Sequence, residues 1–451
     1  MWAFLRSAQQ WMAGTSWIRR LGEAFFRNGA RRRTVTLDHL SVSRCQQRAL
    51  SGLVHQAQAT RFGKAHDFRR IRTPQDYRRL VPLRTPAQLW VEFGLPAFPN
   101  LAGMTWPGPL TGLAALPASS EMEIPFLPLS PALVHVHREA LGTALGQVAQ
   151  TRPNALRTPW LLGEPESANQ LPPSLYPLPP LGGDDRLRGD EMRNGSGNGH
   201  YGVQGWEDVV RSQMAALLQV PSGPQSKRSI AKESEALTRH PLRGQITCLA
   251  GPADQLGQVL TRVQQETGSQ RLADIWPDLT TVLSLRSQPR TGLRPTLDTE
   301  GVLYLEAYFP PEGPVALEDP RHGFLRLLPD QKVYFEFVPV SELNAVQPGR
   351  HGAAEVEPGV PYALALSSPA GLWACLTGAH LCFERRDPPL LRLLETDGAA
   401  EQSISEPVPH SAPHPFPPPR PHSRSVPTRA GRPQNGGNPG APGGRSGHSP
   451  W

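Results

Sequence analysis

Val42, Cys45, Ala49, Leu53 and Ala57 recur at intervals of three and four, which predicts a helix over residues 41–59. A polar connector, RFGKAHDF, follows. Thr73-Pro74 and Thr85-Pro86 then mark two helix starts, because a threonine oxygen caps free N–H groups and proline suits the first turn. Ser130-Pro131 opens another helix, with Leu133, Val136, Ala140, Leu141 and Val148 on its buried face. A helix near 206–219 is followed by ITCLAG (246–251), a helix through Leu256, Leu260 and Val263, and TTVLSL (280–285). VLYLEAYF (302–309), KVYFEFVPV (332–340) and the alternation of Tyr362, Leu364 and Leu366 predict further strands. Helices alternating with apolar strands predict an α/β fold with a partly parallel sheet. GLWACLTGAHLCF (371–383) has no charged residue and follows YALALSSPA, whose strand is expected to run into a short glycine-containing turn and out through Leu381 and Phe383 as a packed hairpin.

The pattern fails in two places. Residues 164–205 are proline-rich, then glycine-rich and charged, and are expected to form a flexible insertion. From about Asp397 the chain is proline, glycine, serine and arginine with almost nothing to bury, so residues 397–451 are expected to be a disordered tail. The 51 prolines and 42 glycines of the 451-residue chain concentrate this tendency. Residues 1–396 are therefore expected to hold the folded domain.

The formal charge of +7 raises the question of an anionic partner. Only four of the 46 basic residues are lysine and the arginines are scattered, so there is no strong case for nucleic acid. Four cysteines, Cys45, Cys248, Cys375 and Cys382, match no zinc spacing and read as buried apolar residues from a reducing compartment, which predicts a cytoplasmic protein. No apolar run approaches about 18 residues, so no membrane span is expected. The first 26 residues lack the continuous apolar stretch of a signal peptide and read as the first helix of the fold.

Candidate chemistry is sparse. His135 and His137 are two apart on a predicted helix and point to different faces, which does not make a metal pair. NGSGNGHYG has alternating glycines, but neither a preceding apolar strand nor a following lysine, and reads as a linker. PHPFPPPRP in the tail has the composition of a polyproline ligand for a protein partner. Glu312 lies just past a predicted strand in a Pro-Pro-Glu-Gly turn, where α/β sheets line ligand crevices and a carboxylate suits Mg²⁺ beside a nucleotide.

ATRFGKAHDFRRIRTPQDYRRLVPLRTPAQLW (59–90), FLPLSPALV (126–134), ADIWPDLTTVL (273–283), YLEAYFPPEGPVALEDPRHGFLRLL (304–328), VYFEFVPVSEL (333–343) and EPGVPYALALSSPAGLW (357–373) occur in that order. Together they resemble the auxin-responsive Gretchen Hagen acyl-acid amido synthetases, in particular their bacterial relatives. The resemblance implies an adenylating-enzyme-like large N-terminal domain with mixed sheets and flanking helices. It also implies ATP and Mg²⁺ as cofactors, and a small carboxylic acid and an amino acid as substrates. Carried over by motif, Tyr308, Glu312 and Gly313 match a Tyr-x-x-Ser-Glu-Gly motif, with Glu312 as its metal ligand and Pro311 in place of its serine. Ser119 and Ser120 stand in the phosphate loop and Gly378 in the ribose-binding segment.

The departures are as informative as the matches. The loop that should be glycine-rich with a lysine reads PASSEMEIP (117–125), with two glutamates and no basic residue. In GLWACLTGAH, Ala374, Cys375 and Ala379 replace the family's arginine, tyrosine and ribose-binding aspartate. Glu395 and Thr396 stand where a glycine-arginine pair leads into the family's mobile C-terminal domain, and the resemblance stops there. The expected function is a degenerate, non-catalytic relative with a ligand-binding or scaffolding role. The alternative is an active ligase working through an acyl-adenylate.

Overall fold

The structure is a computed structural model that describes residues 16–98, 100–115, 126–152, 160–162, 203–218, 246–269, 271–288 and 301–394. The tail and most of 164–205, with the loop 117–125, lie outside these residues. The last three residues of the expected insertion, Val203–Gly205, form a strand.

The helix starts fold as their capping residues dictate. Helices α1 (Ser16–His39) and α2 (Val42–Ala57) lead to the short α3 (Arg61–Ala65), α4 (Pro74–Leu80) and α5 (Pro86–Leu89). Thr73 and Thr85 each close a capping box, with Asp76 and Gln88 respectively, so two free N–H groups are satisfied at each start. In α6 (Pro131–Thr151) the Ser130 hydroxyl accepts from the Leu133 N–H, and the expected apolar face is buried throughout.

Ten strands form one mixed sheet among the described residues. On one side, β3 (Trp160–Leu162), β5 (Cys248–Pro252), β6 (Thr281–Arg286) and β7 (Leu303–Tyr308) run parallel. From β7 the order continues through β8 (Ala316–Asp319), β9 (Phe324–Leu327), β13 (Pro389–Leu394), β12 (Leu372–Arg386), β11 (Pro361–Ser368) and β10 (Tyr334–Pro339), all antiparallel. A smaller sheet pairs β1 (Gly112–Ala115) with β2 (Phe126–Leu129) and with the strand β4 (Val203–Gly205). Helix α7 (Trp206–Leu218) follows β4, and α8 (Ala253–Thr267) and α9 (Leu272–Ile275) connect β5 to β6.

The parallel strands bury both faces, so they read as continuous apolar runs. Leu249, Val282 and Tyr304 pack with Leu256, Leu260 and Trp276 of the α8–α9 layer, while Cys248, Leu283 and Leu305 join the larger core on the other face. The sequence pattern did not predict β8, β9 or β13, because their PVALEDPRHGFLRLL and PLLRLL stretches carry charges and prolines at close intervals. No described helix is long and apolar enough to cross a membrane.

The expected hairpin forms between β11 and β12, with its glycine-containing turn at Pro369–Gly371 and residues 372–386 running out through Leu381 and Phe383 as a single strand. Gly378 does not mark a turn: it sits where β12 carries extra residues against β11, between the pairs Ala363–His380 and Ala365–Leu376. A second irregularity falls at Trp373 and Ala374, and Ala374 has a φ of 46°. Bulges of this kind bend a strand and re-aim its side chains, while the strand still pairs on both sides.

Candidate functional site

Helix α5 continues into a π-helical turn at Trp90–Gly94. A Cβ at residue 94 would lie 2.3 Å from the Trp90 ring, so only glycine lets the indole fold back there. This turn forms one wall of a cleft, with Met104, Thr105 and Trp106 continuing it. The β11–β12 turn, Ala370–Leu372, also lines it and abuts Thr105 and Trp106. Gly371 is required there twice over: its φ is 79°, and a Cβ would meet the Thr105 hydroxyl oxygen at 2.2 Å. Behind the turn Trp373 is fully buried. Its ring N–H donates to the Thr105 carbonyl at 2.9 Å, and its indole packs edge-on to Phe68 and stacked on Phe62. The cleft is a narrow one, with a cavity volume of about 50 Å³, and it opens to solvent.

Glu312 is the one ionisable side chain among the described residues lining this cleft. It sits in the turn between β7 and β8, where Gly313 donates to the Pro310 carbonyl at 3.0 Å. A Cβ on Gly313 would come within 2.9 Å of Val333, so glycine holds the turn against the sheet. Glu312 is only 5 % exposed. Burial pushes its carboxyl up to about 7, opposed only by a hydrogen bond from its own backbone N–H. Burial first, and the Glu312 charge second, also push up the Tyr308 phenol and the Cys375 thiol, so all three groups share one dry region.

His137 closes the region from below. Its Nε2 lies 3.4 Å from the Pro311 carbonyl and its ring meets Trp206 edge-on. Burial holds it down to about 3, so it stays neutral. His135 instead lies 3.4 Å from Glu139 and is half exposed. The two histidines diverge as their spacing requires, and no group of three metal-ligating side chains occurs among the described residues.

Of the residues carried over by motif, Tyr308, Glu312 and Gly313 lie together at the end of β7, although only Glu312 lines the cleft. Gly378, with a φ of 75°, lies in the β12 irregularity away from the lining. Ser119 and Ser120 fall outside the described residues. Ala374, Cys375 and Ala379 are fully buried. Arg84 pairs with this part of β12 through its backbone: its N–H donates to the Ala374 carbonyl, and its carbonyl accepts from Leu376. Its guanidinium is held by Glu92 at 2.8 and 3.2 Å and by His66 at 3.0 Å. The Trp90 and Trp106 walls were not singled out from sequence. Their only signal was the aromatic-rich run LWVEFGLPAFPNLAGMTW, in which no single apolar period dominates.

Residues 34–89 match the GH3 family N-terminal domain and residues 326–391 the GH3 family central domain. No curated protein matches the chain. Among solved structures, the AtGH3.15 acyl acid amido synthetase in complex with 2,4-DB is similar at a TM-score of 0.56 and 13 % identity, over 81 % of this chain and 70 % of that one. A second structure of GH3.15 acyl acid amido synthetase gives 0.50 and 12 %, over 79 % and 68 %. At such identities these likenesses speak to the fold alone. Two segments of the chain thus match domains of the GH3 family, and its mixed α/β fold is similar to that of the solved acyl acid amido synthetases.

Proposed function

We propose that this chain is a non-catalytic relative of the acyl-acid amido synthetases that keeps the cleft as a binding site for a small, largely apolar molecule. One observation carries the reading. Where the resemblance expects ligand-binding side chains on β12, the strand has the irregular backbone that aims side chains, but the side chains are Ala374, Cys375 and Ala379, all fully buried.

The residues do not fit ATP and Mg²⁺. A bound ribose needs a hydrogen-bond acceptor, and Ala379 has none to offer. A triphosphate needs donors and positive charge, whereas residues 117–125 contribute two glutamates and no basic residue by sequence. Mg²⁺ needs several oxygen ligands near ideal octahedral geometry. Glu312 offers a single carboxylate facing Tyr308 and Cys375, and no second acid joins it among the described residues. The apolar walls support a ligand held mainly by burial, with few polar contacts.

Calorimetry with ATP and Mg²⁺ tests this reading, together with acid-dependent pyrophosphate exchange. No binding at millimolar ATP and no exchange are expected. Exchange by the unmodified chain overturns the reading in favour of an active ligase joining a carboxylic acid to an amino acid. A glycine-rich loop with lysine at 117–125, combined with Ala379→Asp, is expected to bring back ATP binding where either change alone does not.

A further inference from the structure

The charge balance of the cleft narrows the ligand further. Its described lining carries one carboxyl, Glu312, and no basic side chain. Arg84 is the nearest cation that acts on the neighbouring Cys375, and its guanidinium is already held by Glu92, His66 and the face of Phe62. Arg286 acts on Tyr308 but lies 2.6 Å from Glu306. His137 is buried and neutral. Glu312 is thus a buried carboxyl, aimed into an apolar cleft, without a cationic partner among the described residues.

Two kinds of guest differ sharply in such a place. A carboxylate guest would put two acids side by side in a dry site, where like charges oppose ionisation of both. A protonated amine would supply the missing counter-charge. Trp90 and Trp106, which line the cleft, would add aromatic surface that attracts a cation. The rest of such a molecule would bury its hydrocarbon against Leu89, Leu101 and Met104.

We propose that the cleft selects an apolar amine, a compact hydrophobic body bearing one protonated nitrogen, and that Glu312 is the carboxylate that pairs with that nitrogen. This rests on the reading of the cleft as a small-molecule site, and inverts the charge preference expected for a carboxylic acid substrate.

Three near-isosteric probes test it with the full chain at one pH near neutrality: 2-phenylethylamine, 3-phenylpropanamide and 3-phenylpropanoate. Affinities are read by tryptophan fluorescence and calorimetry. The amine is expected to bind at least tenfold more tightly than the amide, and the acid most weakly. Glu312→Gln is expected to reduce the amine-to-amide ratio to about one, with a cooperative unfolding transition showing that the variant is folded. Glu312→Asp is expected to recover part of the ratio. If the acid binds as tightly as the amine, or the ratio survives in Glu312→Gln, the amine assignment is wrong while the cleft still binds small molecules. If none of the probes binds, the cleft reading fails and this inference fails with it.

Discussion

Two glutamates, Glu312 and Glu336, are almost equally hidden from water, and they have opposite surroundings. Glu336 on β10 receives both arms of Arg350, at 2.6 and 3.1 Å, and lies 3.5 Å from Arg78 of α4. Arg350 also donates through Nη1 to the carbonyls of Arg78 and Val81. Nearby, Gln46 of α2 donates to the carbonyls of Pro329 and Val333 and accepts from the Phe335 N–H. The Tyr77 hydroxyl meets Ser367 at 2.6 Å. These contacts fasten the N-terminal helices to the antiparallel strands. Glu312 has no such arrangement: its carboxyl faces an apolar cleft with only its own N–H. Buried charge that is fully paired is architecture, whereas a buried carboxyl left without a partner is costly and marks a place where a ligand can supply one.

Substitutions sharpen the contrast. Glu336→Gln should destabilise the fold by about 3–5 kcal/mol, because it strands the buried Arg350 guanidinium. Urea unfolding measures this, and an unchanged midpoint would show that the network is not structural. Trp373→Ala should cost a similar amount, about 3–5 kcal/mol, by opening a cavity behind the β11–β12 turn. Retention of wild-type stability in that variant would detach the turn from the core.

Glu312 should behave with the opposite sign. Its carboxyl ionises near 7 in the folded chain, against an ordinary value of 4.5. The folded state therefore holds the proton between those values while the unfolded state has lost it. The associated stability is fully present below about 4.5 and disappears as pH rises through 7, a change of about 3 kcal/mol. The neighbouring Tyr308 and Cys375 stay neutral across this window, since both are pushed upward. Glu312→Gln, which mimics the protonated form, should match the wild type at pH 5 and exceed its stability by about 3 kcal/mol at pH 8.5. Parallel unfolding profiles for the two proteins across that range would remove Glu312 from the dry region.

The smallest effect belongs to the cleft wall. Thr85→Ala removes the cap of α5 and should cost about 1 kcal/mol. Because α5 leads directly to Trp90, the loss should weaken cleft binding more than it shifts global unfolding. Hydrogen exchange at residues 86–94 tests this, and exchange rates identical to the wild type would show that the cap does not hold the wall.

Much of the architecture was legible in the chain. Thr73-Pro74, Thr85-Pro86 and Ser130-Pro131 announce helix starts because capping is satisfied within a few residues. The strands at 281–286, 303–308 and 334–339 announce themselves because burial on both faces demands unbroken apolar runs. The β11–β12 hairpin was legible from the alternation at 362–366 and the glycine that follows it, whereas the two irregularities of β12 have no sequence signal of their own. The cleft wall from Trp90 to Trp106 was not legible, since it is built from a π-helical turn and a loop that have no regular period.

The sequence by itself determined what the motif positions cannot offer: no lysine or glycine in residues 117–125, and no arginine or aspartate at 374 and 379. Side-chain chemistry is fixed once the residue is named, so those absences hold in any fold. Only the tertiary structure decided which buried glutamate is paired. Glu336 and Glu312 stand in similarly apolar strings, FEFV and PPEG, and nothing local separates their fates. Arg350 and Arg78 reach Glu336 because a distant loop and an N-terminal helix fold onto β10. Among the described residues no arginine lines the cleft beside Glu312, which it shares with the apolar β11–β12 turn and with Trp90 and Trp106. Desolvation and pairing depend on everything that other segments bring within a few ångströms, and that neighbourhood exists only after the chain has folded.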